Sequence, residues 1–361
     1  MSGIPDTRSD AVETQPAADG SERGPWPSAL AAPAPPSVAQ VTVEPGWPAA
    51  ARAALIGAVT IALGTLFVTS YMLTLGHPVP HRIDAAVVGS PTSHGHEVAA
   101  LERATRGSVD FHTYPSVTAA RRAIDKQQVY AALDLAQRTP RLYVASAAGA
   151  SVSRTLEAAF AGDPQIQVVD THPLPSSDPQ GLDVFYLVLA ATILGFTTVF
   201  QVRAHAGGLG SRSWMAFVLA FAVAASLVLT LVAGPVLHRL ALPIAESWGI
   251  LALQALTVAA FASAMGLLLG RWAIVPTWLL FVVLGNSSSG GAVSPPLLPR
   301  PYRIISQWLP SGATVTALRN AVYFHADQQV RPVAVLAGWA AICVAAMLVL
   351  SRWRGTSPGV A

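Results

Sequence analysis

The chain is 361 residues long, 52% hydrophobic and only 11% charged, with a mean hydropathy of +0.48. This is too apolar for a soluble enzyme of that length and reads as an integral membrane protein. The formal net charge of +3 comes from dispersed arginines rather than a basic block, which excludes a nucleic-acid partner, and the single cysteine, Cys343, can form no intrachain disulfide.

Residues 1–50 are rich in Pro, Ala, Ser, Gly and acidic residues, show no apolar periodicity to about Trp47, and predict a disordered cytoplasmic tail. A continuous uncharged run then extends from Ala53 to Leu75, preceded by Arg52, and predicts a first transmembrane helix over 51–76. No small-x-small cleavage site follows it, so it reads as a retained anchor rather than a signal peptide.

At His77 the composition changes, and nearly all carboxylates outside the tail fall before residue 184. Short strands are expected over 83–89, 109–112, 129–135, 142–146 and 166–169, with amphipathic helices over 97–105, 117–126 and 152–160, the second capped by Ser116. Strands alternating with helices predict a small extracytoplasmic α/β domain over 77–183, built on a partly parallel sheet. His77, His81, His94, His96 and His112 crowd one part of it. His94-x-His96 has chelating spacing, but no cysteine and no fixed structural-site spacing accompany it, so no metal is expected.

Five further apolar segments, 185–202, 214–237, 248–269, 272–284 and 333–350, complete six predicted transmembrane helices and place both termini on one side. The fourth of these is short and holds Pro276. Arg52, Arg203, Arg212, Arg271, Arg352 and Arg354 fall on the face opposite the α/β domain, which orients both termini to the cytoplasm. Arg300, Arg303, Arg319 and Arg331 fall on the other face, in a long loop that weighs little in this rule.

That long loop, about 286–324 within a five-helix membrane region 184–361, begins with small residues at 287–291, followed by Pro295-Pro296. Ile304, Ile305, Trp308 and Leu309 come next at helical spacing, then a break at Pro310-Ser311-Gly312 and a second short helical run to Phe324. Neither short helix is long enough to span, which fits a re-entrant or interfacial segment. An amphipathic loop packed on a helix bundle fits the same pattern.

The order Ser289-Gly290-Gly291, Leu298-Pro299, an aromatic-containing amphipathic helix, then Leu309-Pro310 with Leu318, Arg319 and Phe324 resembles the final outer loop of type-2 ABC exporter membrane domains. The resemblance is closest to the phage-infection-protein (Pip/YhgE-like) branch, whose outer domain is also similar at Pro173, Leu174, Asp178, Pro179 and Gly181. The outer domain here is shorter than that of many Pip-like proteins. The resemblance implies an ABC transporter permease of the bacterial inner membrane, paired as a homodimer or with a related permease. A separate P-loop ATPase would drive export of a lipid-like or amphipathic compound. It makes Gly290, Gly291, Pro299, Pro310 and Arg319 the candidate re-entrant gate, and the loop 203–213, with Arg203, His205 and Arg212, the candidate ATPase-docking loop.

The residue chemistry narrows the energy source. The one lysine, Lys126, sits in IDKQQ with no Gly-rich loop before it, so the chain carries no P-loop of its own. From Val184 onward the only carboxylates are Glu246 and Asp327, both in predicted outer loops, which argues against an ion-coupled carrier. Gln254 and Ser263 are expected to bond across helices rather than bind cargo. No Ser-His-Asp order or paired-carboxylate arrangement is present, so neither an enzyme nor a cofactor is expected. The alternative from a different class is a non-transporting envelope scaffold or surface-binding, phage-docking-like membrane protein.

Overall fold

The structure, a computed structural model, describes residues 48–76, 78–90, 95–161, 166–206, 208–324 and 330–355, so all but the end of the expected tail lies outside the described residues. Helix α1 (Ala49–Leu75) opens the described chain. The α/β region follows as β1 (Ile83–Val88), α2 (Gly95–Ala104), β2 (Val109–Thr113), α3 (Val117–Asp125), β3 (Ala131–Asp134), β4 (Arg141–Val144), α4 (Ala150–Ala158) and β5 (Gln167–Asp170). The helical remainder is α5 (Asp183–His205), α6 (Ser211–Leu231), α7 (Ile244–Leu269), α8 (Ile274–Thr277), α9 (Arg300–Ser306), α10 (Pro310–Tyr323) and α11 (Val330–Gly355).

The five strands form one sheet in the order β2-β1-β3-β4-β5. β1 runs parallel to both β2 and β3, β4 runs parallel to β5, and β3 pairs antiparallel with β4. Helical crossovers account for the parallel pairs, and the short 135–140 connection accounts for the antiparallel one. As expected, Ser116 caps α3, its hydroxyl accepting from the Ala119 amide at 3.2 Å.

Strand side chains alternate between two apolar layers. Ile83, Val87, Leu133, Leu142 and Val144 meet Leu101, Val152 and Leu156 on one face, while Ala86, Val88, Ala132 and Tyr143 meet Ala120 and Ile124 on the other. Neither layer is finished by the α/β region alone. Val293, Leu297 and Leu298 complete the first, and Phe324 completes the second, its ring stacked 4.6 Å from that of His172.

Among the described residues five helical stretches are long and apolar enough to cross a membrane: Ala49–Leu75, Asp183–His205, Ser211–Val236, Ile244–Asn286 and Val330–Trp353. The expected segments 248–269 and 272–284 thus lie in one stretch of 43 residues. Straight, it would run about 65 Å, twice a hydrocarbon core of about 30 Å. It does not run straight. Gly270 sits at φ +56°, a tight turn occupies Gly270–Ala273, and the rings of Phe261 and Phe281, twenty residues apart, lie 5.4 Å from each other. The chain therefore doubles back, and Pro276 falls in the first turn of the returning arm, where its missing N–H costs little.

α7 is the central helix, packed against α5, α6, α10 and α11. Gly195 allows the close approach of α5, since a Cβ there would lie 3.0 Å from the Ala255 carbonyl oxygen. Buried Asp178 fixes the entry to α5 by accepting from the Leu182 and Asp183 amides, each at 2.9 Å. α1 lies at the edge, with Ile61 and Met72 widely exposed and Ser70 hydrogen bonded to the Val283 carbonyl at 2.8 Å.

Leu298 is fully buried in the sheet core. Leu298→Ala is expected to destabilise the protein by about 2–5 kcal/mol, whereas Ile304→Ala, at an exposed position on α9, should stay within about 0.5 kcal/mol. Thermal unfolding of the two variants in detergent checks the contrast.

Candidate functional site

The returning arm ends at Asn286, deep in the protein, where its last carbonyls would be left without partners. Three consecutive serines answer this locally. Ser287 donates to the Val283 carbonyl, Ser288 to Leu284 at 2.6 Å, and Ser289 to Asn286 at 2.8 Å. The Gly291 amide then donates to the Ser289 hydroxyl at 3.2 Å.

The two glycines that follow are required by geometry. Gly290 adopts φ +76°, and a Cβ on Gly291 would lie 2.5 Å from the Phe185 side chain. Their carbonyls converge on Arg319 of α10. One guanidinium nitrogen donates to Gly290 O and the other to Gly291 O, each at 2.8 Å. Arg319 is only 9% exposed, and among the described residues it has no carboxylate within ion-pair distance. Its charge is met by backbone dipoles instead. Burial pushes the nearby Tyr130 phenol up to about 12, against the opposing pull of Arg319.

The same stretch is tied to the α/β region along its length. The Ser294 amide donates to the Ser151 hydroxyl at 3.0 Å, and that hydroxyl donates to Ser294 Oγ at 2.9 Å. The His81 amide donates to the Pro296 carbonyl at 2.7 Å, and Arg303 donates to the His81 carbonyl at 2.8 Å. Gln127 donates to Asn320. Pro310 is the first residue of α10, where a missing N–H is harmless, and Pro299 is the N-cap residue of α9. Of the five candidate gate residues, then, Gly290, Gly291 and Arg319 meet directly, while the two prolines set the helices on either side of the 307–309 link.

Toward the bundle, α10 is held through one amide. Gln254 of α7 donates to Thr192 of α5 at 2.9 Å, and its carbonyl oxygen lies 2.9 Å from the Thr314 hydroxyl of α10; all three side chains are fully buried. Gln254 does bond across helices, as expected. Thr192 and Thr314 were not legible as its partners, because an intramembrane threonine usually satisfies itself on the carbonyl four residues back, as both also do here.

The candidate docking loop lies between α5 and α6. Arg203 is folded onto the protein, 3.3 Å from the Ser263 carbonyl and 4.9 Å from the Trp214 ring centre. Ser263 also accepts from the Trp214 indole at 3.1 Å. His205 and Arg212 are exposed. Beside them a groove of about 270 Å³ is lined by Arg203, Leu209, Ser211, Trp214, Met347 and Ser351. Of the crowded histidines, His112 pairs with Asp84 at 3.0 Å and the His81 ring contacts the Val79 carbonyl at 2.6 Å, while His77 and His94 lie outside the described residues.

Neither the models of known protein families nor the curated proteins provide a match to this chain.

Arg319→Lys keeps the charge but lacks the planar fork that reaches both carbonyls. A stability loss of about 1.5–3 kcal/mol is expected for Arg319→Lys and about 3–5 kcal/mol for Arg319→Ala, measured by tryptophan-detected unfolding in detergent.

Proposed function

We propose that this protein is the permease subunit of a type-2 ABC exporter of the bacterial inner membrane, close to the Pip-like branch. It would move a lipid-like or amphipathic compound, as a homodimer or with a related permease, and take its energy from a separate P-loop ATPase. In this reading the chain crosses the membrane six times, with the Gly270 hairpin supplying the fourth and fifth passes. Both termini face the cytoplasm and the α/β region lies outside.

The observation that carries the reading is α10. It is a 14-residue helix, about 21 Å long, too short to span, and buried almost throughout among α5, α7 and α11 beneath the sheet. A re-entrant element in that position, Pro-bounded and polar at its centre, is where a path along the bundle axis would open. Its contact with Gln254, made by Thr314, is a neutral hydrogen bond worth about 0.5–1.5 kcal/mol, within reach of an ATP-driven movement. The Arg319 clamp, by contrast, would hold α10 to the outer segment throughout.

On the opposite face, the exposed His205 imidazole and Arg212 guanidinium beside the 203–213 groove offer hydrogen-bond donors and a positive charge for an ATPase. Arg203 serves the fold there, clasping Trp214 and α7. The second reading, a non-transporting scaffold, is favoured by one feature: the membrane segment completes both faces of the sheet, which suits rigid presentation of an outer surface.

Purification of the tagged protein from its native membrane in mild detergent, with mass spectrometry of what stays bound, separates the two. A stoichiometric P-loop ATPase is expected, lost when His205 and Arg212 are replaced by neutral residues while Arg203 is kept. Recovery of envelope proteins alone, under conditions that preserve known ABC complexes, would move the weight to the scaffold.

A further inference from the structure

Between α1 and the returning arm lies a cavity of about 380 Å³ lined by Ile56, Leu63, Gly64, Arg271, Trp272 and Trp278, among others. The lining is largely apolar; the Thr60 hydroxyl donates to the Ile56 carbonyl of its own helix at 2.9 Å, and Arg271 stands at one end on the Gly270 turn. Arg271 is exposed, its guanidinium carbon 5.7 Å from the centre of the Trp272 ring, and among the described residues no carboxylate lies within ion-pair distance of it. At the other end the groove is closed by aromatic contact, with Phe67 of α1 6.2 Å from Trp278. Ile56 and Ile274 on its walls remain about half exposed, so it opens sideways, away from the bundle.

We infer that this groove binds one anionic glycerophospholipid, with an acyl chain laid between α1 and the arm and the headgroup phosphate on Arg271. An arginine followed by a tryptophan at a helix turn marks headgroup depth, where the guanidinium stays hydrated and the indole takes the interface. The groove runs from there toward the membrane centre, as an acyl chain does. Charge decides between a lipid and a helix of a second copy. From Val184 onward the chain's carboxylates are only Glu246 and Asp327, and residues 53–75 have none. The apolar helix faces of a second copy therefore offer Arg271 no counter-charge, and a phosphate does. With the orientation proposed above the lipid belongs to the cytoplasmic leaflet; the binding itself requires neither export nor an ATPase.

Gly64 provides a clean test, because a Cβ there would meet nothing within 4 Å, so a large side chain can fill the groove without disturbing the packing. Protein purified in neutral detergent is titrated with phosphatidylglycerol or phosphatidylcholine of identical chains, and lipid adducts are counted by native mass spectrometry. One tightly held lipid is expected, with phosphatidylglycerol preferred. Gly64→Phe should weaken both lipids by about tenfold or more, the loss of roughly two buried methylenes. Arg271→Gln should lower the preference for the anionic lipid about fivefold and leave phosphatidylcholine unchanged. Thermal midpoints of both variants, with Gly64→Leu as a milder filling, establish that they are folded. Adducts insensitive to Gly64→Phe and Gly64→Leu in folded protein would overturn the inference. A dimer lost on filling the groove would overturn it too, assigning the site to a second copy.

Discussion

Two hydrogen bonds from one buried guanidinium hold this molecule's most crowded junction. Arg319 reaches the carbonyls of Gly290 and Gly291, and in doing so fixes the turn that leaves the membrane arm, the helix that carries the arginine, and the start of the irregular run that enters the sheet core. A buried cation without a carboxylate partner is costly unless fixed dipoles replace its hydration. The Ser-Ser-Ser-Gly-Gly turn supplies those dipoles only because its serines have already satisfied the helix end behind it and its glycines tolerate φ +76° at Gly290 and contact with Phe185 at Gly291. Sequence, turn and charge depend on one another here, and a change in any of the three releases the others.

From this junction the segment 285–324 belongs to two bodies at once. Val293, Leu297, Leu298 and Phe324 are core residues of the sheet, while Ala313, Val315, Leu318 and Val322 are core residues of the bundle around α5 and α7. Both sides combine apolar burial with hydrogen bonds. Toward the sheet these are the Ser151–Ser294 pair, the His81 amide on the Pro296 carbonyl, Arg303 on the His81 carbonyl and Gln127 on Asn320. Toward the helices they include Thr314 on the Gln254 amide, the Trp339 indole on the Trp308 carbonyl at 2.8 Å, and the Ser70 and Ser287 hydroxyls 2.9 Å apart.

The α/β region was legible because short strands alternate with period two between turn residues, and all five strands and three helices fall where that pattern puts them, within the usual uncertainty of element ends. Asp178 and Gly181, noticed as part of a motif, have a plain physical role: the carboxylate caps α5 and the glycine takes φ +66° against Leu174. The hairpin at Gly270 was half legible. Arg271 separated two apolar segments, but composition alone does not distinguish a tight helical hairpin from two helices joined by a loop. The cover of Arg203 in the candidate docking loop, by Trp214 and the Ser263 carbonyl, was not legible, because the carbonyl comes from a helix 60 residues away in the chain. The sharing of the sheet core was not legible at all, since Val293, Leu297 and Leu298 sit in a Pro-rich loop with no periodicity, and only the tertiary fold brings them under β1 and β4.

The 285–324 segment joins sheet and bundle into one cooperative structure. Amide hydrogen exchange of the whole protein in detergent, followed residue by residue with rising denaturant, tests it most directly. The amides of β3 and those of α10 are expected to open together, with the same protection and the same dependence on denaturant. Exchange of the whole sheet at low denaturant, while α10 and the 285–294 turn stay protected, would contradict it.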